Sequence, residues 1–337
     1  MILRAMGSTA ADPGRQAPDP ESIGRFGQAL DALWPARERG ESGKLGLAVS
    51  GGPDSTALLL LASAALPGRV EAATVDHGLR PEAAREAADC AAVCQGISIP
   101  HETLNVQVAP GNVQSEARRA RYAALAGWME RRGAGALATA HHADDQAETL
   151  LLRLNRASGV AGLAGTRARA TVPGTSLVLL RPLLTWRRAD LAAIVDAAGI
   201  TAAQDPSNED DRFDRVRLRK VLKDADWLDV DAIAGSASHL ADADAALDWA
   251  AEREWRECVS KEGLGLLYRP RAPRAIALRV ISRIVTELDG NEPRGSAVAR
   301  LFDALVARQP GSIGDLMARP VPAGWSFTRA PKRRTKS

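Results

Sequence analysis

Residues 45–61, LGLAVSGGPDSTALLLL, constrain this chain more than any other stretch. An apolar run at 45–49 reads as a buried strand, and a second at 56–61 suits a helix. Between them lie Ser50, Gly51, Gly52, Pro53, Asp54 and Ser55. Strand, glycine turn and helix form a geometry that aims backbone N–H groups at a phosphate. Adjacent glycines let the backbone approach an anion without a Cβ in the way, and Ser50 and Ser55 add hydroxyl donors. No Lys-Ser/Thr pair follows the glycines, so this is not a Walker A loop. Asp54 is out of place in a phosphate nest unless a metal or a substrate cation lies between the two negative charges. That points to chemistry rather than plain anchoring.

The chain has 337 residues, enough for two domains of ordinary size. Apolar residues make up 45% and charged residues 25%, the balance of a soluble globular protein. No apolar run reaches the length of a bilayer span, and the N-terminus lacks the apolar segment of a secretory signal. Cys90, Cys94 and Cys258 make an odd set with no CxxC pair, which favours neither a disulfide framework nor zinc. The expected location is the cytoplasm. Formal net charge is only +3, too mild to imply nucleic acid by itself, so clustering of the basic residues matters more.

Residues 1–20 are rich in Gly, Pro, Ser and Ala without periodicity and are expected to be disordered. A helix is expected over 23–34. From there strand-like runs (45–49, 70–75, an extended 97–106, 136–140, 177–184) alternate with helical ones (56–61, 81–94, 115–132, 144–155, 188–198). Such alternation implies an α/β fold with a parallel sheet covered on both faces. Ligands of these sheets bind beyond the carboxyl ends of the strands. The clusters at 50–55, 76–77 and 141–145 each follow an expected strand and should meet on one rim. This catalytic domain is expected over 21–223, and a smaller, mainly helical domain over 224–330. Its helices fall at 230–258, 275–288 and 297–308, with an extended piece at 264–268. A basic tail, 331–337, ends the chain.

The stretch 141–148 reads HHADDQAE. Asp144 and Glu148 are four apart and Asp145 and Glu148 three apart, so the carboxylates share a helix face. With His141 at the strand end, the group could hold magnesium, orient a cationic amine or deprotonate one. Arg118 and Arg121 share a face of the preceding helix beside Arg119 and Tyr122. A denser basic run, Arg212, Arg215, Arg217, Arg219 and Lys220, suits phosphate contacts along RNA or ATP.

Several of these motifs together resemble the bacterial tRNA(Ile)-lysidine synthases, an N-type branch of the PP-loop ATP pyrophosphatase superfamily. They are SGGPDS, VDHGLR at 75–80, EARRARY at 116–122, TAHHADDQAET at 139–149, RPLL at 181–184 and DPSNEDDRFDRVRLR at 205–219. The likeness covers about 45–220. It implies a Rossmann-like PP-loop domain of the adenine nucleotide alpha hydrolase type, followed by the helical domain. The implied reaction adenylates O2 of the wobble cytidine of a CAU-anticodon isoleucine tRNA with ATP. The ε-amine of free L-lysine then attacks carbon 2, forming lysidine as AMP leaves. The implied cofactors are ATP and Mg2+, with the metal ligands left open.

By the same likeness, Ser50 to Ser55, Asp54 included, would hold the pyrophosphate. Asp54, Arg121, His141, Asp145 and Glu148 would act in catalysis at the lysine and cytidine site. Arg118, Arg212, Arg215, Arg217 and Arg219 would contact nucleotide or tRNA. Two departures stand out. Val216 replaces the asparagine of the family's Arg-Asn-Arg, and Ala157 replaces the first glycine of its Arg-Gly-Ser/Thr-Gly. A thiolase of the superfamily would need a cysteine pair or cluster-binding set near the rim, which these three cysteines do not supply. An amide synthetase would not need the basic run at 212–220.

Overall fold

The computed structural model describes residues 16–40, 43–78, 82–107, 113–203, 212 and 214–329. The basic tail, and most of the N-terminal extension expected to be disordered, lie outside the described residues, as do residues 204–211 of the acidic–basic stretch. The chain forms two compact units that divide between His239 and Leu240.

The first unit runs α1 (Pro20–Leu33), α2 (Ala36–Arg39), β1 (Lys44–Ala48), α3 (Pro53–Ala65), β2 (Val70–Asp76), α4 (Glu82–Gly96), β3 (His101–Asn105), α5 (Val113–Arg132), β4 (Ala134–Ala138), α6 (Ala143–Leu154) and α7 (Val160–Leu163). It continues with β5 (Arg169–Thr171), β6 (Val178–Leu180), α8 (Arg188–Ala197) and α9 (Asp214–Asp224). The six strands pair in the order β3-β2-β1-β4-β6-β5. Every pairing is parallel except that of β5 with β6. The α/β class expected from the alternation is therefore present, with one antiparallel edge strand added. Expected extended stretches shrink to their paired cores: 97–106 becomes β3 and 177–184 becomes β6.

Alternation along β1 decides which helices cover which face. Leu45, Leu47 and Val49 pack with Phe26, Leu30 and Trp34 of α1, the leucines of α3 and Leu191 and Ile194 of α8. Ala48 faces the other way, toward Leu125, Trp128 and Met129 of α5. Gly46 lies against that same helix, where an added Cβ would meet the Trp128 ring at 2.7 Å. The α3 helix is apolar around its circumference because other elements surround it. Leu58, Leu59 and Leu61 are at most 1% exposed, each contributing about 1.5–3 kcal/mol by burial. One polar device sits inside the sheet. Glu71 on β2 is 5% exposed and is held by Lys44 at 2.8 Å and Arg132 at 2.5 Å.

The division falls inside α10 (Val230–Cys258), one helix as the periodicity predicts, rather than at the expected 223/224 boundary. Beyond it come β7 (Val259–Glu262), β8 (Gly265–Tyr268), α11 (Arg274–Asp289), α12 (Gly295–Val306), β9 (Gly311–Ile313), β10 (Leu316–Val321) and β11 (Gly324–Arg329). The three helices expected there are present. A five-stranded antiparallel sheet, β7-β8-β11-β10-β9, accompanies them, and only β8 was expected. Val280, Ile281 and Ile284 of α11 pack on Phe327 and Leu316 of that sheet. Arg279 pairs with Asp244 and Asp248 and binds α11 to α10. Among the described residues no helix is long and apolar enough to cross a membrane.

Candidate active site

The loop after β1 is built by its own hydroxyls. The Ser55 hydroxyl accepts from the Ser50 N–H at 3.1 Å and donates to the Gly52 carbonyl at 3.0 Å. Thr56 donates to the same carbonyl at 3.1 Å. Gly51 adopts φ +83°, where a side chain is strained. A Cβ there would stand 3.0 Å from the Cys90 sulfur, and the Gly51 carbonyl accepts from the Ala203 N–H at 2.9 Å. Pro53 takes the first helical position, where a missing N–H costs nothing. The first-turn N–H groups of α3 are thus left for a ligand.

This loop opens on a cleft of about 840 Å3, within the range of sites that take cofactor-sized molecules, roughly 300–1,000 Å3. Ser50, Gly52, Pro53 and Asp54 line one side, Asp145, Arg121, Arg188 and Arg219 another, and Thr74, Val75 and His77 the end of β2. The three clusters therefore meet on one rim, as a parallel sheet demands.

His142 joins them. Its ring is fully buried, with Nε2 3.3 Å from Asp54 Oδ2 and 3.6 Å from Asp145 Oδ2, and Nδ1 3.5 Å from Asp144 Oδ2. Burial pulls its pKa down, but the Asp144 and Asp54 carboxylates, with the charge of Asp145, push it up to about 9. His142 is a cation at neutral pH, which answers what stands beside the misplaced Asp54. Burial pushes the Asp144 carboxyl up, while His142, the Arg188 N–H at 2.8 Å and Arg187 together hold it well below the usual range. Asp145 caps α6, accepting from the His142 N–H at 3.2 Å.

His141, the residue favoured from sequence, sits differently. Its Nδ1 lies 3.0 Å from the Thr139 hydroxyl. Burial, above all, lowers its pKa to about 4, with Arg181, Arg121 and Arg118 adding to the effect against the pull of Asp145. It is a neutral imidazole in a positive field.

Glu148 is 1% exposed. Its Oε1 accepts from Arg219 Nε at 2.9 Å and lies 3.5 Å from Arg188, while Oε2 is buried without a partner. Of the basic run, Arg219 alone lines the cleft. Arg215 donates to the Thr149 hydroxyl at 3.2 Å. Arg217 pairs with Asp214 on its own helix at 2.5 Å, and Arg212 is exposed in a turn. Arg118 is exposed and stacks over the Tyr122 ring at 5.0 Å. Sequence reasoning missed His142 as a bridge and Arg187 and Arg188 altogether. The two adjacent histidines carried a signal for the first. Nothing in the spacing pointed to the arginines, which arrive from α8.

A family model described as a PP-loop domain matches residues 25–225. The tRNA(Ile)-lysidine synthase of Novosphingobium aromaticivorans is 47% identical over 318 residues, covering 94% of this chain and 97% of the relative. This chain belongs to the tRNA(Ile)-lysidine synthase family. The tRNA(Ile)-lysidine synthase of Zymomonas mobilis is 42% identical over 300 residues, 87% of this chain and 90% of the relative. Among solved structures, the U34-tRNA thiolase NcsA from Methanococcus maripaludis with its [4Fe-4S] cluster shares the fold. It covers 65% of this chain and 78% of its own at TM-score 0.53 and 13% identity. Membership in the tRNA(Ile)-lysidine synthase family makes the chain an enzyme of tRNA modification and disfavours the thiolase and amide-synthetase alternatives.

The two departures from the tRNA(Ile)-lysidine synthase pattern now have physical readings. Val216 is 6% exposed, so on α9 its position faces inward and an apolar side chain fills it. Ala157 adopts φ +52°, in the left-handed region at the end of α6. A glycine there is free of strain, and alanine is not.

Proposed function

We propose that the cleft catalyses ATP-dependent ligation of free L-lysine to carbon 2 of the wobble cytidine in a CAU-anticodon isoleucine tRNA. The observation that carries this reading is the convergence of an anion nest, a carboxylate group and cleft-lining arginines on one rim. The nest of Ser50 to Ser55 cradles the phosphates of ATP, with Arg188 and Arg219 balancing their charge. Cytidine O2 attacks the α-phosphorus and pyrophosphate leaves, so carbon 2 carries an adenylate. The ε-amine of lysine adds to that carbon, and AMP departs with the former O2.

Asp145, which lines the cleft, faces the incoming ammonium, with Glu148 buried one turn behind it. The amine needs a carboxylate to bind and must lose a proton to become a nucleophile. The neutral imidazole of His141 stands close by as a hydrogen-bonding group rather than a charge. His142 orients the Asp54 and Asp144 carboxylates by lying between them.

The residues also fit Mg2+. Asp54 Oδ1 is buried without a partner, and Asp145 lines the same cleft. Mg2+ takes one or two carboxylates and completes its shell with phosphate oxygens and water. Among the described residues no group of three or more His, Cys, Asp or Glu could hold a metal without such help. When bound, the ion supplies charge neutralisation at the pyrophosphate. The cytoplasm, where tRNA, ATP and free lysine coexist, is the compartment this reaction calls for.

The test incubates the protein with ATP, labelled lysine and tRNA transcripts bearing CAU or another anticodon. Label should enter only the CAU isoleucine transcript, with one AMP released per lysine. No incorporation beside an active control enzyme would overturn the reading.

A further inference from the structure

Away from the nest, three arginines gather around one tyrosine. Arg118 and Arg121 lie one turn apart on α5, and Arg181 follows β6. Tyr122 is 2% exposed. Its ring lies under the Arg118 guanidinium and its hydroxyl lies against Arg181. Arg181 is itself 6% exposed. One of its nitrogens donates to the Arg167 carbonyl at 2.6 Å, and its Nε is buried with no partner.

Among the described residues no carboxylate pairs with Arg118, Arg121 or Arg181. A guanidinium cannot escape burial by losing its proton, and burying one without a counter-charge is costly. Burying Arg181 this way, beside the partly exposed Arg121 and the exposed Arg118, calls for an anion from outside. The low pKa of His141, owed first to burial and then in part to these three arginines, reports the same positive field.

We propose that Arg118, Arg121 and Arg181 form a pocket for one backbone phosphodiester of the tRNA, next to the linkage that presents the wobble cytidine. The proposal rests on the function given above and adds where the RNA backbone is gripped. ATP is the less fitting occupant. Its phosphates have the nest after β1, whereas Arg181 follows β6, two strands further along the rim. Arg121 lines the ATP-sized cleft, but Arg118 and Arg181 lie outside its lining. Arg118 is reached from solvent, as a strand crossing the rim requires. Guanidinium forks match phosphate oxygens two at a time, and contacts of this kind set the register in which a splayed base enters a pocket.

The experiment uses the full chain and an anticodon stem-loop RNA bearing CAU, with single neutral methylphosphonate linkages placed on either side of the wobble cytidine. One such linkage should weaken binding to the wild-type protein about tenfold. Arg118→Gln should weaken binding of the unmodified RNA by a similar factor and reduce the salt slope by about one. The same linkage should then cost the variant nothing further, and KM for ATP should stay within about twofold. Arg181→Lys, which keeps the charge but loses the fork, should show a smaller loss; it stands in if Arg181→Gln does not fold. Additive penalties, no sensitive linkage, or a raised KM for ATP with RNA affinity intact would overturn the proposal. Lysine incorporation by the wild-type protein, measured in parallel, tests the proposed function separately.

Discussion

His142 Nε2 lies 3.3 Å from Asp54 Oδ2, so a buried imidazolium ties the first turn of α3 to the first turn of α6. Two acids from different βα units share one cation, and the phosphate nest and the carboxylate cluster become one object. Removing the imidazole takes away the cation that Asp54 shares and leaves Asp144 with Arg187, at 3.3 Å, on its other side. His142→Ala should lower lysine incorporation at least a hundredfold, and His142→Gln, which restores hydrogen bonding without charge, should recover only part of it.

The same group makes stability depend on pH. Its folded pKa, about 9, is raised above the unfolded value near 6.5. The contribution is therefore complete below about pH 6.5 and is lost as pH rises through 9. Urea denaturation in chelator should show the wild-type protein losing about 1–3 kcal/mol between pH 6.5 and 9.5. His142→Gln should flatten that decline. An equal slope in both proteins would remove His142 as its source.

Arg219 and Arg217 should separate cleanly. Arg219 holds the buried Glu148 at 2.9 Å, so Arg219→Gln removes its hydrogen bond and leaves Arg188, at 3.5 Å, as the cation beside it. The cost should be about 1–3 kcal/mol, with a large loss of turnover. Arg217 pairs with Asp214 on the exposed face of one helix. Arg217→Gln should stay within about 0.5 kcal/mol by thermal unfolding, with any effect confined to RNA affinity.

Gly51→Ala places a methyl group 3.0 Å from the Cys90 sulfur at φ +83°. The loop must shift, so KM for ATP should rise at least tenfold in a pyrophosphate-release assay. A Cys90→Ala change in the same chain clears the steric contact and leaves the φ strain. It should restore part of the affinity and no more.

Ala157→Gly runs the other way. Relief of the left-handed alanine outweighs the extra freedom glycine gives the unfolded chain. The substitution should stabilise the protein by about 0.5–1 kcal/mol, read as a rise in Tm of roughly 1–4 °C.

These expectations also mark how far residue order alone could reach. The run at 45–61 carried its strand, turn and helix openly, because apolar periodicity and glycine chemistry are local. The rim followed from it, since parallel strands put their carboxyl ends together. The small sheet of the second unit stayed hidden. β9 is three residues long, and β10 carries Pro320, so neither shows a clear alternation. The edge strand β5 was silent for the same reason. In the site, Asp145 and Glu148 were legible from spacing along one helix, and Asp54 from its odd place in the glycine turn. Arg188 was not, because its meeting with Glu148 spans 40 residues and is decided by how α8 packs. Choosing between His141 and His142 required knowing which ring the strand end turns inward.

The Trp128 ring fills the space that a side chain on Gly46 would occupy, four residues before the nest begins. An aromatic on the far face of the sheet thus acts as a stop for the strand that carries the phosphate donors. With about 3.3 Å of rise per residue, the distance from stop to loop is a fixed length of rigid strand. The donors are set by carpentry in the core before any nucleotide arrives, and no binding free energy goes into ordering them. A change at Trp128, remote from every reacting atom, would shift where the phosphorus is presented.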